Sequence, residues 1–320
     1  MGKISLKRIK DAICELSSSE LLALKDEIER RESAVEAEIV EATMIGAVRA
    51  CPHCKGKQLK SAGSKDGRKR FRCKDCGKSF NGFTGTPLAK LHFPEKFMEN
   101  AKHMIEGNTV RKTAAAIGVN KNTAFLWRHR FLESIDQMQP EQLNGFVEAD
   151  ETYFLESFKG KRNDLPRKAK KRGTPAKKRG LSTEQIPVLV ARSRSDGATM
   201  TVVLPSRKGK DIADVLVPVI SNESVLLTDG ATAYRAVSRA KKGLELRSVP
   251  ANPKLKKPGP NHINNVNAYD HRLKDWIYRF HGVATKNLPH YLGWHRWLES
   301  TKGRNKARQF LTAASKPVKK

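Results

Sequence analysis

Residues 146–154 read FVEADETYF. The run is rich in apolar and aromatic side chains, so it reads as a strand. Three acids nevertheless sit inside it. With a two-residue period, Glu148 and Asp150 share one face and Glu151 takes the other. A carboxylate in apolar surroundings is costly unless it is paired or binds a cation. Asp150 is therefore a candidate metal ligand, with Glu148 as a supporting neighbour.

The chain that follows sets where this strand belongs. IPVLVARS (186–193) and ATMTVVLP (198–205) are two more strands, and KGKDIADVLVPVI (208–220) is helical. VLLTDG (225–230) is a strand, ATAYRAVSRA (231–240) a helix, and LELRSVP (244–250) a strand. HINNVNAYDHRLKDW (262–276) closes the series as an amphipathic helix, with Val266, Tyr269, Leu273 and Trp276 at three- and four-residue steps. Three strands, helix, strand, helix, strand, helix is a mixed α/β domain. Asp229 ends the fourth strand. An Asp before Gly often only shapes a turn, but if the first and fourth strands are neighbours, Asp229 and Asp150 converge on one cleft. The last helix carries a second stripe of Asn267, Asp270, His271 and Lys274. Those residues form either a solvated face or one wall of that cleft. Residues 159–180, KGKRNDLPRKAKKRGTPAKKRG, are too charged and too interrupted by Gly and Pro to pack. They read as a mobile basic insertion facing a polyanion.

Charge narrows the partners. Lys and Arg number 62 against 33 Asp and Glu, a net +29 over 320 residues, with a pI near 10.1. Such a balance favours nucleic acid, because each neutralised phosphate releases counterions. It does not by itself distinguish DNA from RNA. No apolar run is long enough to span a membrane, which leads to the expectation of a cytoplasmic protein with no membrane partner.

Of five cysteines, four form two C-x-x-C pairs in CPHCKGKQLKSAGSKDGRKRFRCKDCGKSF (51–80). Thiolates at i and i+3 of two tight turns complete a tetrahedral zinc shell. Cys51, Cys54, Cys73 and Cys76 are thus expected to hold a structural Zn²⁺, with a basic hairpin between the pairs and His53 as a bystander. Cys14 stands alone and reads as a small packed hydrophobe.

Two further segments are helical. In residues 1–46, Ser17 and Glu20 have capping-box spacing ahead of Leu21, Leu24 and Ile28. NTVRKTAAAIGVNKNTAFLWRHRFL (108–132) reads as a helix, a turn at Gly118, and a second helix capped by Asn120. Ala115, Ile117, Val119 and Phe125 supply the apolar positions of a helix-turn-helix. Lys121, Asn122 and Thr123 would face base edges, with Arg128 and Arg130 nearer phosphates. Short matches of this kind also arise by chance in helical proteins.

Zinc knuckles, helix-turn-helix, VEADETYF, LLTDGATAY, and a closing helix with Asn264, Asn267, Leu273 and Lys274 together resemble the zinc-ribbon DDE transposases of bacterial insertion sequences. The resemblance spans most of residues 45–300, and its nearest branch uses Asp, Asp, Asn and Lys. It implies an RNase H-like α/β catalytic domain with Asp150, Asp229, Asn267 and Lys274 as its catalytic residues. It further implies that Asp150, Asp229 and Asn267 hold Mg²⁺ or Mn²⁺, two ions in all; Asp270, one turn along and already acidic, is the rival for the third ligand, its ordinary role being an i to i+4 ion pair with Lys274. The partners implied are double-stranded DNA (terminal inverted repeats and a target) and further copies of the chain, in a bacterial, nucleoid-associated setting. Expected domains are a helical segment (1–46), a zinc ribbon (47–86), a helix-turn-helix (87–140), the catalytic domain (141–303) and a basic tail (304–320). Asn in place of an acid keeps two other readings open. One is a decayed transposase acting as a DNA-binding regulator, the other an RNase H-like nuclease without strand transfer.

Overall fold

A computed structural model describes residues 5–65, 68–161, 163–168, 176, 182, 184–249, 259, 261–303 and 305–318. The chain divides into two compact units, Met1–Trp127 with Asn305–Pro317 and Arg128–Arg304 with Val318–Lys320. Most of the basic insertion expected at 159–180 lies outside the described residues.

In the first unit, α1 (Leu6–Cys14) and α2 (Ser18–Gly46) precede a small three-stranded antiparallel sheet. The capping box is real. Ser17 N–H donates to Glu20 Oε2 at 2.9 Å, and Glu20 N–H to Ser17 Oγ at 3.4 Å. Cys14 is exposed, because α1 buries none of its residues. The sheet comprises β1 (Leu59–Lys65), β2 (Arg68–Cys73) and β3 (Ser79–Asn81), and β1 and β2 form the expected basic hairpin.

After a 3₁₀ turn at Pro94–Lys96 come α3 (Phe97–Ile105), α4 (Val110–Ile117) and α5 (Lys121–Asp136). Between α4 and α5, Gly118 takes φ +63°, a left-handed conformation that glycine adopts without Cβ strain. The apolar register differs by one residue from expectation. Ala114, Ile117, Ala124 and Trp127 are buried, whereas Phe125 is exposed and Ala115 faces solvent. Three- and four-residue steps back from Ile117 and Trp127 reach Ala114 and Ala124, so Ala115 and Phe125 fall off the stripe. Trp127 packs edge-on to Phe97, ring centroids 5.1 Å apart.

The second unit is built on five strands. β4 (Phe146–Leu155), β5 (Gln185–Ser193) and β6 (Thr199–Val203) pair antiparallel, while β7 (Val225–Thr228) and β8 (Glu245–Ser248) add to β4 in parallel. The sheet order is β6-β5-β4-β7-β8. First and fourth strands of the unit are thus adjacent, the mixed-sheet arrangement of an RNase H-like α/β fold. One face carries α6 (Gly209–Leu216) and α7 (Arg235–Ala240) over Val147, Ala149, Leu189, Leu226 and Tyr234. The other lies under α8 (Asn264–Tyr278) and α9 (Leu288–Ser300). α9 meets the end of α5 at Gly293, where a Cβ would come within 2.6 Å of Asp136 Cα. No helix among the described residues is long and apolar enough to cross a membrane.

Residues 304–320 are more than a basic tail. Lys306–Ala314 form α10, which packs against α3 and α2 and buries Phe310, Leu311, Ala313 and Ala314. Lys and Arg dominate the composition there, but FLTAA still supplies an apolar face. Arg308 pairs with Glu36 at 3.1 Å. Phe310→Ala should therefore destabilise the first unit by about 3–5 kcal/mol in denaturant titration. A change within ±0.5 kcal/mol would show the helix to be a dispensable appendage.

Candidate active site and metal centres

Strand register brings Asp150 and Asp229 together. β4 and β7 pair as Phe146↔Val225, Val147↔Leu226 and Glu148↔Leu227. The same offset carried two residues further sets Asp150 beside Asp229, just past the end of β7. Neighbouring strands lie about 4.8 Å apart, so both carboxylates occupy one end of the sheet. Burial pushes Asp150 up to about 6. The Glu151 N–H, 2.8 Å from Asp150 Oδ1, works against that shift; the charges of Asp229 and Glu151 add to it, and Lys274 opposes it. Asp229 is exposed, and its Oδ1 accepts the Ala231 N–H at 2.9 Å. It shapes the turn and stands next to Asp150 as well.

Glu151 points to the other face, as the period requires. Tyr234, in the core beneath α6 and α7, lies beside it, and Tyr153 Oη is 3.5 Å from its Oε2. Burial raises its carboxyl above the ordinary range.

Glu148 has a different task from the metal. It is fully buried, and it accepts the backbone N–H of Asn265 at 2.8 Å and of Val266 at 2.9 Å. The Asn265 side-chain amide adds a bond of 2.7 Å. These are first-turn N–H groups of α8, which have no partner inside the helix, and the N-cap residue Ile263 offers no side-chain cap. A strand glutamate thus caps the helix and meets its positive dipole end. Arg194 compensates the charge, with Nε 2.6 Å from Glu148 and a second nitrogen 2.6 Å from the His262 carbonyl. Arg194 and His262 did not stand out in the sequence. The usable signal was Glu148 itself, since a fully buried acid requires a cation nearby.

That cap sets what α8 lays over the sheet. Val266 sits above Glu148; four residues along the helix is roughly 6 Å, and two along the strand roughly 6.6 Å. Asp270 is thereby carried towards Asp150, near enough to feel its charge. It belongs to the buried stripe Val266, Tyr269, Asp270, Leu273, Trp276 and Ile277. Asp270 is 7% exposed, and its Oδ1 is buried with no hydrogen-bond partner. Burial pushes it up to about 7, the charge of Asp150 adding and Lys274 opposing. Lys274, a turn further on, is exposed but close enough to act on both carboxyls. Asn267 is exposed. His271 is exposed too and faces Asp275 at 3.7 Å, a solvated pair.

The donor set of Asp150, Asp229 and Asp270 is all carboxylate oxygen, which suits Mg²⁺ or Mn²⁺, and Asn267 could add an amide oxygen. The orphaned Asp270 oxygen is what a buried cation ligand would leave. Among the described residues, no three carboxylates bring oxygens within 4.8 Å of one another. Like charges held closer would repel strongly at low dielectric.

The cysteines do converge. Their sulfurs lie within 4.8 Å of one another, with Cys51–Cys76 and Cys54–Cys73 both at 3.6 Å. Zn–S bonds of about 2.3 Å put tetrahedral sulfurs roughly 3.8 Å apart, so the cluster fits zinc. His53 is exposed and outside the cluster.

On α5, Lys121 and Asn122 are exposed and Thr123 is half-buried. Asn120 Oδ1 accepts the Asn122 N–H at 2.8 Å, the expected cap. Arg130 is half-buried near Glu133, 3.8 Å away. Arg128 departs from expectation. It is 2% exposed, its guanidinium 5.1 Å from the Trp294 ring centroid and 5.6 Å from that of Phe280. It is one residue past Trp127 on the buried stripe, and so cannot reach a phosphate.

Two outcomes follow. Metal analysis of purified protein should find one zinc per chain, and Cys73→Ser should lose it; clearly substoichiometric zinc in folded wild type would contradict the cluster. Glu148→Ala leaves Arg194 and the α8 N–H groups without their anion, which should cost about 3–5 kcal/mol in chemical unfolding. Loss below 1 kcal/mol would mean that α8 is held by its apolar stripe alone.

Comparison with known proteins adds a family. Residues 142–299 match the ISXO2-like transposase domain. A protein of transposable element ISH50 from Halobacterium salinarum is 26% identical over 245 residues, covering 76% of this chain and 82% of its own. Two solved structures are distant likenesses. A simian T-cell lymphotropic virus intasome chain (11% identity, 64% of this chain and 76% of that one) gives a TM-score of 0.30. A pre-cleavage Mos1 transpososome chain (12% identity, 68% and 79%) gives 0.22. Superpositions this loose carry no weight beside the strand order. Sheet topology, the aspartates paired by register and the sequence match agree: residues 142–299 are similar to the DDE-type ISXO2-like transposase domain.

Proposed function

We propose that this protein cuts and joins DNA at the ends of a mobile element. The observation that carries the reading is the register pairing of Asp150 and Asp229 beneath a helix that presents Lys274, inside a transposase-family domain. Asp150 and Asp229 would hold divalent cations at the end of the sheet, and Asn267 would offer a neutral amide oxygen beside them. Two such ions supply charge stabilisation for the entering and leaving oxygens of an in-line displacement at phosphorus. Lys274, a compact cation already acting on Asp150, grips the phosphate next to the scissile bond. In the first step water attacks phosphorus and the 3′-oxygen leaves, taking a proton. In the second, that 3′-hydroxyl attacks a target phosphodiester, and the displaced strand end takes the proton in turn.

Recognition belongs to the first unit in this reading. Lys121, Asn122 and Thr123 at the start of α5 would read base edges in the terminal repeats, with Arg130 nearer the backbone. The zinc cluster fixes the hairpin whose arginines and lysines add phosphate contacts. The +29 charge supplies the salt-dependent part of affinity. Joining two element ends calls for at least two copies on DNA.

Labelled DNA carrying the flanking repeats separates recognition from chemistry. With Mg²⁺, wild type should nick the end and join it to a second duplex. Asp150→Ala should lose both reactions while keeping gel-shift affinity. Lys121→Ala with Asn122→Ala should weaken binding roughly tenfold or more, since each good base contact contributes about 1–3 kcal/mol. Binding without metal-dependent nicking in wild type would leave a DNA-binding regulator, and nicking without joining a plain nuclease. Equal loss of binding in both variants would overturn the division of labour.

A further inference from the structure

We propose that Asp270 is an anionic ligand of the divalent cations held by Asp150 and Asp229, and that it holds them more strongly than Asn267 does. The inference rests on the reading of Asp150 and Asp229 as metal-holding residues, and adds a residue to it.

Position comes first. Glu148 fixes the first turn of α8 through the N–H groups of Asn265 and Val266. Asp270 follows Val266 by four residues, as Asp150 follows Glu148 by two. The two rises nearly match, and Asp270 is near enough to Asp150 to feel its charge. Asn267 is one residue past Val266, about 100° around the helix, on the exposed side.

Burial is the second observation. Asp270 is 7% exposed and its Oδ1 has no hydrogen-bond partner. The ordinary explanation for an acid four residues before a lysine is an ion pair along the helix. Among the described residues Asp270 makes no ion pair, with Lys274 or any other cation. A buried carboxylate offset only by the exposed Lys274 and set beside a second acid is unfavourable twice over, by desolvation and by like charge. A divalent cation between them removes both penalties. An amide at 267 supplies neither the charge nor the inward position, so Asp270 restores the third negative charge that Asn267 withholds.

The test titrates full-length protein with Mn²⁺ alone, reading free Mn²⁺ by electron paramagnetic resonance and melting temperature in parallel. Asp150→Asn and Asp270→Asn should each weaken Mn²⁺ binding by roughly tenfold or more, at least the effect expected of residues supporting a metal ligand. Asn267→Ala should change it by less, and Asp270→Glu should retain most of the binding. Without Mn²⁺, Asp270→Asn should melt no lower than wild type, because it removes a buried charge and keeps the shape. Adding Mn²⁺ should raise the wild-type melting temperature, and the same rise in that variant should need roughly tenfold more Mn²⁺. If Asp270→Asn binds Mn²⁺ like wild type while Asp150→Asn does not, Asp270 is no ligand and the cleavage reading stands. If Asp270→Asn melts lower without Mn²⁺, its role is structural and the proposal falls. If wild type binds no Mn²⁺, both readings fall.

Discussion

The second unit depends on one buried carboxylate. Glu148 lies in the middle of an apolar strand, yet it is fully satisfied, by two backbone N–H groups of α8, an Asn265 amide and the Arg194 guanidinium. A pair of this kind is weak evidence for stability taken alone, because desolvation offsets much of the attraction. What it provides is register. An amphipathic helix laid on a sheet by apolar contacts could slide or rotate at little cost, since one aliphatic contact resembles another. A carboxylate that must meet two particular N–H groups allows one placement.

From that placement the site follows. β4 presents Glu148 and Asp150 on one face, and its parallel pairing with β7 brings up Asp229. α8 then brings Asp270 near enough to Asp150 to feel its charge and leaves Lys274 beside them at the edge. The result is a patch of negative charge inside a chain of net charge +29. Basic residues favour a polyanion at long range, while Asp150 and Asp270 are withdrawn from solvent and Asp229 stays exposed at the end of the sheet. The four-cysteine cluster serves a different purpose in the first unit. It extends the small core of Leu59, Phe71 and Phe80, which a hairpin otherwise made of lysine, arginine and small residues cannot enlarge.

Much of this was legible in the sequence, for physical reasons that differ by element. Period-2 patterning with an acid in an apolar strand identified Asp150, and the order of elements identified the neighbouring strand that carries Asp229. Paired C-x-x-C spacing identified the sulfur cluster. Errors arose where a pattern shifted by one residue. Ala115 and Phe125 suit the helix-turn-helix pattern, yet Ala114, Ala124 and Trp127 are its buried positions, and Arg128, basic enough for a phosphate contact, packs on Trp294 and Phe280. Composition misled at residues 304–320, where basic residues hide the apolar face of α10. Asp270 was placed in the stripe beside Asn267 because sequence spacing gives angles around a helix but not which angle faces the sheet. The apolar stripe turns Asp270 inward, four residues from Val266 and three from Leu273, and the cap made by Glu148, which links residues 117 positions apart, fixes where along the sheet it lands.

The central claim is that cations are held between the ends of β4 and β7 and the face of α8. Iron-directed backbone cleavage tests it without DNA. With Fe²⁺ substituted for Mg²⁺, added hydrogen peroxide is reduced to hydroxyl radicals that cut the chain beside the bound ion, and ascorbate returns the Fe³⁺ to Fe²⁺. The account predicts cuts close to Asp150, to Asp229 and to the turn of α8 around Asp270, all suppressed by excess Mg²⁺ and absent in Asp150→Asn. Cuts at the strand ends with none on α8 would contradict it, as would a cleavage pattern that Asp150→Asn leaves unchanged.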